Sequence, residues 1–297
     1  MKNKALLIGF IIIFSIFLYS ICFNYKIYKD DIKNYNLIVD KCNNNMLSDE
    51  ICNNISDDYP KVDAYTFTYR VINDSLEVIY VFPLVIILSA VWNISKEFKN
   101  GYVKSYLQRK NYKSYLKHIF KNSYKAALII PISLIIVFII SYLITGTLDY
   151  SYILGTSYTT WDVKYLDNFN LFYIGYLLNK LFLGIFFVNL GLMFIRKNKS
   201  TIIAILEAFI TFLAIEIVNE IIITKLLFTK LLHINVGFLF NIFDSYSYYM
   251  LPSEVTYLLL SVLYAVISFV IVIIYYKNKE KLIIDCEILK GGKENEN

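Results

Sequence analysis

The sequence carries none of the common signatures of catalysis. There is no G-x-x-x-x-G-K-[ST] phosphate loop, no H-E-x-x-H and no G-x-S-x-G. The four cysteines are scattered with no C-x-x-C pair, which gives no support to a zinc site or a dithiol redox motif. An inverted repeat is missing too, and no two apolar runs are broken by Gly or Pro in matching positions, as a secondary transporter would show. Catalysis by this chain alone is not expected, nor is a resident metal or cofactor.

What the chain has in excess is apolar sequence. Of its 297 residues 57% are hydrophobic, and the mean hydropathy is +0.52. Several runs approach or exceed the ~18 apolar residues that read as a membrane span. The net charge of +5 is not a nucleic-acid footprint, because the basic residues cluster in loops, as orientation by positive charge requires. Residues 5–23 form the first run, preceded by Lys2 and Lys4. It is longer than a signal-peptide core and lacks a small-x-small cleavage site, so it reads as a retained span with its N-terminus inside.

Residues 76–94, with Pro83, are the second span, and residues 124–145, with Pro131 in the first turns, the third; membrane helices tolerate proline. Residues 171–195 and 201–223 form a hairpin around the basic turn Arg196-Lys197-Asn198-Lys199-Ser200. Residues 255–276 are the sixth span, and Lys277, Lys279 and Lys281 hold its end inside. The tail 277–297 reads as polar and mobile.

Charge assigns the loops to sides. Residues 24–75 hold more acids than bases, among them Asp30, Asp31, Asp57, Asp58 and Asp63, and form a large external loop. Within it Cys42 and Cys52 either close a small disulfide or remain two free thiols. Residues 65–71 read as a short strand or an extended return. Residues 146–170 are a second external connection, with Trp161 at headgroup level. The stretch 224–254 is apolar but contains Lys225, Lys230, His233, Asn235, Asn241 and Asp244. A seventh crossing there would send the Lys277 cluster outside, so it reads as an outer re-entrant or amphipathic segment. The fold expected is an all-α integral membrane protein of six transmembrane helices with both termini cytoplasmic.

Lys180, Glu207 and Glu216 lie well inside the spans, where an unpaired charge is costly. Lys180 lies 18 residues before Asn198 and Glu216 lies 18 after it, so equal rise per residue brings the two to equal depth in antiparallel helices. By the same count Glu207 meets Asn189. These pairs either lock two helices together or line a polar route between protomers.

The segment 95–123 is set apart from the rest. It carries Lys96, Lys99, Lys104, Arg109, Lys110, Lys113, Lys117 and Lys121 against one acid, Glu97. Tyr112, Tyr115, Leu116, Ile119 and Phe120 follow helical spacing, and Lys113, Lys117 and Lys121 take the opposite face. Such a helix lies in the headgroup plane among the membrane lipids, apolar side down.

Ser95-Lys96-Glu97-Phe98-Lys99-Asn100-Gly101 resembles the start of the cytoplasmic loop in permease subunits of type-2 ABC exporters. In that family a Glu four residues before a Gly follows the second span and opens the region that docks on the ATPase. Lys104, Arg109 and Lys121 match its basic positions; Tyr102 stands where a Thr is common, and the usual Pro before the Arg is missing. The resemblance implies one permease domain over residues 1–297, a multi-pass protein of the bacterial cell membrane. It implies a dimer with a second permease copy or paralogue, and two separate ATP-binding-cassette ATPase subunits below. It makes Glu97 and Gly101 a docking elbow, with Tyr102, Tyr106, Arg109, Tyr112, Tyr115, Leu116 and Ile119 in the contact segments of a coupling helix. The cargo it implies is a peptide, a lipid-like compound or an antibiotic. Two other functions compete: a secondary transporter using the intramembrane Glu and Lys, and a non-transporting sensor whose external loop binds a ligand.

Overall fold

The computed structural model describes residues 4–44, 46, 52, 62–75, 81–148, 169–234, 240–242 and 254–291. Every regular element among them is helical. In chain order these are α1 (Lys4–Asn43), α2 (Ala64–Asn73), α3 (Val81–Lys99) and the short pair α4 (Tyr102–Arg109) and α5 (Tyr112–Ser123). A 3-10 turn (Tyr124–Leu128) leads into α6 (Ile129–Thr145), followed by α7 (Phe169–Ile195) and α8 (Thr201–Ile217). α8 continues as a π-helix (Val218–Leu231), and α9 (Glu254–Tyr276) and α10 (Lys279–Gly291) complete the chain. Six of the resulting rods are long and apolar enough to cross a membrane, the number expected.

The bundle is built around α7, which packs against α3, α6, α8 and α9. Buried positions make up 67% of its span, against 28% in the spans of α1, α8 and α9, so α7 is the inner helix and those three are peripheral. Close packing between apolar helices depends on small residues. A Cβ on Gly184 would stand 3.0 Å from the Cα of Ala127, backbone against backbone. Ala127 sits in the 3-10 turn, and its carbonyl has no α-helical donor four residues on, because Pro131 lacks an N–H. Proline, two alanines and a glycine together set how closely α6 and α7 approach.

The segments expected outside the membrane depart from expectation in three places. Residues 24–43 continue α1 without a break instead of starting a loop. No Gly or Pro interrupts them, and Tyr28, Ile32, Tyr35 and Val39 keep a half-covered face at helical spacing. Residues 65–71 are helical, neither a strand nor an extended return. Asp63 caps α2, its carboxylate accepting from the N–H groups of Tyr65 (2.7 Å) and Thr66 (2.9 Å) and from the Thr66 hydroxyl. Burial raises that carboxyl above its usual range, although the three donors pull the other way. α2 then wedges between α1 and α6. Ser20 Oγ donates to Val71 O, Asn24 Nδ2 donates to Asp74 at 2.7 Å, and Tyr65 packs on Phe138.

The third departure lies beyond the fifth span. Thr224–Leu231 belong to the same rod as α8, in π geometry, and do not begin a separate segment. The side chains suit that wider turn: Thr224 donates to Asn219 O, Thr229 to Thr224 O, and Lys225 pairs with Glu220, each five residues back. Residues 235–239, 243–253 and 149–168, with Trp161, lie outside the described residues. Cys42 and Cys52 are joined by a disulfide, with Cα atoms 5.6 Å apart.

Candidate functional site at the basic end of the bundle

One end of the bundle gathers the end of α3, the α4–α5 pair, the 196–200 turn and α10. Ser95 Oγ lies 2.6 Å from Thr201 Oγ1, and Lys99 Nζ donates to the same hydroxyl at 3.0 Å. Tyr112 donates to the carbonyl of Tyr276, and Lys104 pairs with Glu287. α1 runs antiparallel to α3, with Ala5 beside Ser89 and Phe17 against Phe82, so its N-terminus points to this end as well. α2 and Thr147 belong to the opposite end, joined by the bond from Ala64 N to Thr147 O.

The elbow is Gly101. It takes φ 70° and ψ 6°, a left-handed conformation in which an L side chain is strained, and turns the chain out of α3 into α4. Asn111 then makes the second bend, its side chain accepting from Ser114 N at 2.8 Å to cap α5. Between the bends, rings hold α4 onto α5. Tyr106 packs at a tilt against Tyr115 (5.2 Å between centroids) and His118 (5.6 Å), and its hydroxyl lies 3.2 Å from Ser114 Oγ. Tyr102 is 41% exposed and lies against Tyr106 and His118.

Glu97 is tied into this cluster by His118, whose Nε2 is 3.0 Å from Glu97 Oε1. The bond joins the last turn of the second span to the middle of α5. Glu97 Oε2 and the Tyr115 hydroxyl are buried beside it, and neither has a hydrogen-bond partner among the described residues. Sequence reasoning passed over His118; its place three residues after Tyr115, on the apolar stripe, was the available signal.

The apolar stripe faces protein instead of lipid. Tyr115 and Ile119 are fully buried, Tyr112, Leu116 and Phe120 are half-buried, and Phe120 packs against Phe269 and Tyr276. α5 is therefore the base of the third rod, continuous with it through the 3-10 turn, with its apolar stripe packed on protein. The reason is that the sixth span and α3 offer that stripe a closer apolar surface. Tyr115, Ile119 and Val103 are shut inside the chain, so a docking partner does not touch them directly. Lys104, Ser105, Gln108, Arg109, Lys110, Lys113, Lys117 and Lys121 are among the outward side chains, with Tyr102.

The intramembrane polar residues find other partners than those matched by depth. Asn189 is fully buried; its Oδ1 accepts from the Tyr124 hydroxyl at 2.7 Å, and its Nδ2 donates to Ser268 Oγ at 2.9 Å. Glu207 accepts from Asn198 Nδ2 at 2.6 Å, back toward the turn. Glu216 accepts from Ile242 N at 3.0 Å, which ties the chain after the π-helix to the bundle. Lys180 is buried with its ammonium 4.5 Å from the centre of the Tyr176 ring. A Lys180–Glu216 ion pair and an Asn189–Glu207 bond are not among the contacts between described residues.

The tail contributes what sequence reasoning missed most. Within the tail expected to be mobile, residues 279–291 form the docked helix α10, and residues 292–297 lie outside the described residues. Asn278 caps α10, accepting from Lys281 N, and Leu282, Cys286 and Leu289 bury one face at helical spacing. Arg196 is fully buried and donates from Nε to Asp285 at 2.6 Å and from Nη1 to the carbonyl of Tyr275. Burial pushes the Cys286 thiol up to about 12. Three residues at i, i+4 and i+7 after an Asn were the readable signal for this helix. Comparison with family models, with curated proteins and with solved structures finds no match to this chain.

Proposed function

We propose that this chain is the membrane-spanning subunit of an ATP-driven exporter of the type-2 ABC kind. It works as a dimer with an identical or related permease and takes its energy from separate ATPase subunits bound at the basic end. The observation that carries the reading is the left-handed elbow at Gly101, four residues after Glu97. It directs the short helix α4 out of the second rod and back into α5, the base of the third, with its cations outward. A ring-packed segment fixed to both rods transmits force, because tilting it tilts them.

The division of labour has a chemical basis in the sequence: with no phosphate loop in this chain, nucleotide is handled by a partner. The basic end is then the cytoplasmic one, by the excess of Lys and Arg in its short loops. The cargo proposed is a peptide, a lipid-like compound or an antibiotic, moved outward across a bacterial cell membrane.

Purifying the tagged full chain from its own cell membrane tests this. An ATP-hydrolysing subunit is expected to accompany it, and to be lost when Lys113 and Lys117 are both changed to Glu. Labelling of cysteines placed at 113 and 117 from outside intact cells would sink the proposal, because no internal ATPase reaches an external face.

A further inference from the structure

α10 packs on the end of the second span and on the coupling segment, and is bonded to the turn between the fourth and fifth spans and joined to the foot of the sixth. Lys104 Nζ on α4 lies 3.4 Å from Glu287 on α10, across a cleft of about 320 Å³ lined by Gly101, Lys104 and Gln108 on one wall and Ile283, Cys286 and Glu287 on the other. That ion pair is exposed and holds little by itself. The firm attachment is Arg196, in the turn between the fourth and fifth spans. It is fully buried, bonded to Asp285 and to the Tyr275 carbonyl, with its guanidinium 4.7 Å from the Tyr275 ring centre and 5.7 Å from that of Tyr276. Only Lys277 and Asn278 separate α10 from the sixth span. The link is short and bonded, with Lys277 N donating to Ile274 O and Leu282 N to Asn278 O. At the foot of that span, Tyr276 donates its hydroxyl to Leu192 O on α7.

We infer that α10 is a relay that carries displacement of the α4 elbow segment to the fourth, fifth and sixth spans. It rests on the exporter reading and deepens it. The elbow alone moves the second and third spans, between which it is strung. Through α10 the same push also bears on the Arg196 turn and on the sixth span, so both halves of the subunit respond together. A tail that merely rested on the bundle would not need a buried arginine at its contact; here the cation, the acid and two aromatic rings meet at one point.

The test compares three forms of the full complex. A chain ending at Lys277 is expected to keep its bound ATPase while permease-dependent ATP turnover falls roughly tenfold, within the range of measured coupling between distant sites. Asp285→Asn, which leaves the helix in place but loosens its latch, is expected to lower turnover severalfold and carries the test if the shortened chain does not accumulate. In the third form Lys104→Cys and Glu287→Cys are bridged by a short reversible bis-methanethiosulfonate and compared with the same sample after reduction. The bridge is made with Cys22, a free and exposed cysteine, changed to Ser; Cys286, buried with its thiol pushed up to about 12, does not compete for the reagent. The bridged form is expected to keep its turnover, since the two helices move as one. Turnover unchanged in both the shortened chain and Asp285→Asn, or abolished by bridging, overturns the relay while the exporter reading stands. Failure to recover any ATPase with the full-length chain overturns the exporter reading, and the relay with it.

Discussion

Replacing Gly101 isolates backbone strain from packing. With φ at 70°, a residue other than Gly at this elbow adopts the left-handed region, at a cost of about 1–2 kcal/mol for an ordinary L side chain. Packing adds nothing to that figure, because a Cβ built on Gly101 meets no atom within 4 Å. Free energy of this size shifts a local equilibrium by a factor of about 5–30. Asn tolerates the left-handed region far better than Ala, and a β-branched residue tolerates it worst. The expected order of damage is therefore Asn, then Ala, then Val, independent of side-chain volume.

Hydrogen exchange of the α4 amides in the detergent-solubilised chain reads that order directly, since these amides open with the elbow. Gly101→Ala is expected to speed exchange by about 5–30-fold, and Gly101→Asn by clearly less. Insertion into the membrane is unaffected, because the spans on either side do not contact the substituted position. Should Asn and Val behave alike, or damage follow side-chain volume, the strain account is wrong and a contact not made within this chain governs the site. On the exporter proposal, ATP turnover by the bound partner is expected to fall in the same order as exchange rises.

Four other perturbations have defined outcomes. His118→Ala removes the Nε2 bonded to Glu97 and is expected to destabilise the α4–α5 pair by about 1 kcal/mol, read as faster exchange in α5 with no change in the outer helices. Asn189→Leu severs the bonds to Tyr124 and Ser268; at ~0.6 kcal/mol for a typical bond between membrane helices, a loss of about 1–2 kcal/mol is expected in a reversible unfolding assay. Gly184→Val drives a side chain into the backbone of Ala127 and is expected to lower the yield of folded protein, where Gly175→Ala, with open space around it, leaves it unchanged. Cys286, with its thiol at about 12, carries a thiolate fraction of only ~10⁻⁴ at pH 8 against roughly a quarter for an ordinary thiol. Maleimide labelling of it is thus expected to be negligible at pH 8 in the folded chain and to become rapid only on unfolding.

The six rods and their order were legible because each rests on a one-dimensional property, a run of apolar residues long enough to cross. The basic end was legible for a similar reason, since charge counting needs no geometry. The ends of the rods were less so. α1 runs on to Asn43 because nothing in residues 24–43 breaks a helix, whereas composition alone marked the change from apolar to polar at residue 24. α10 was missed for the opposite reason: its polar residues outweighed the three buried positions, Leu282, Cys286 and Leu289, that decide where it goes. Asp63 illustrates the local version of the same loss. Counted only as one acid of an acidic loop, it is the cap that makes residues 64–73 a helix.

The intramembrane residues mark the limit of counting along a hairpin. Equal distance from Asn198 is an argument about depth alone, for Lys180 with Glu216 as for Asn189 with Glu207. Pairing also requires the two side chains to face each other, and each residue turns about 100° of helix from the one before it. Asn189 therefore points toward Tyr124 and Ser268, and Glu207 reaches back to Asn198. Glu216 receives the N–H of Ile242, from a segment that a two-helix count does not contain. Which of several partners at one depth a polar side chain meets depends on how all the rods are rotated about α7. That rotation is set by contacts such as Gly184 on Ala127, where single atoms decide the spacing, and a hydropathy profile carries no trace of it.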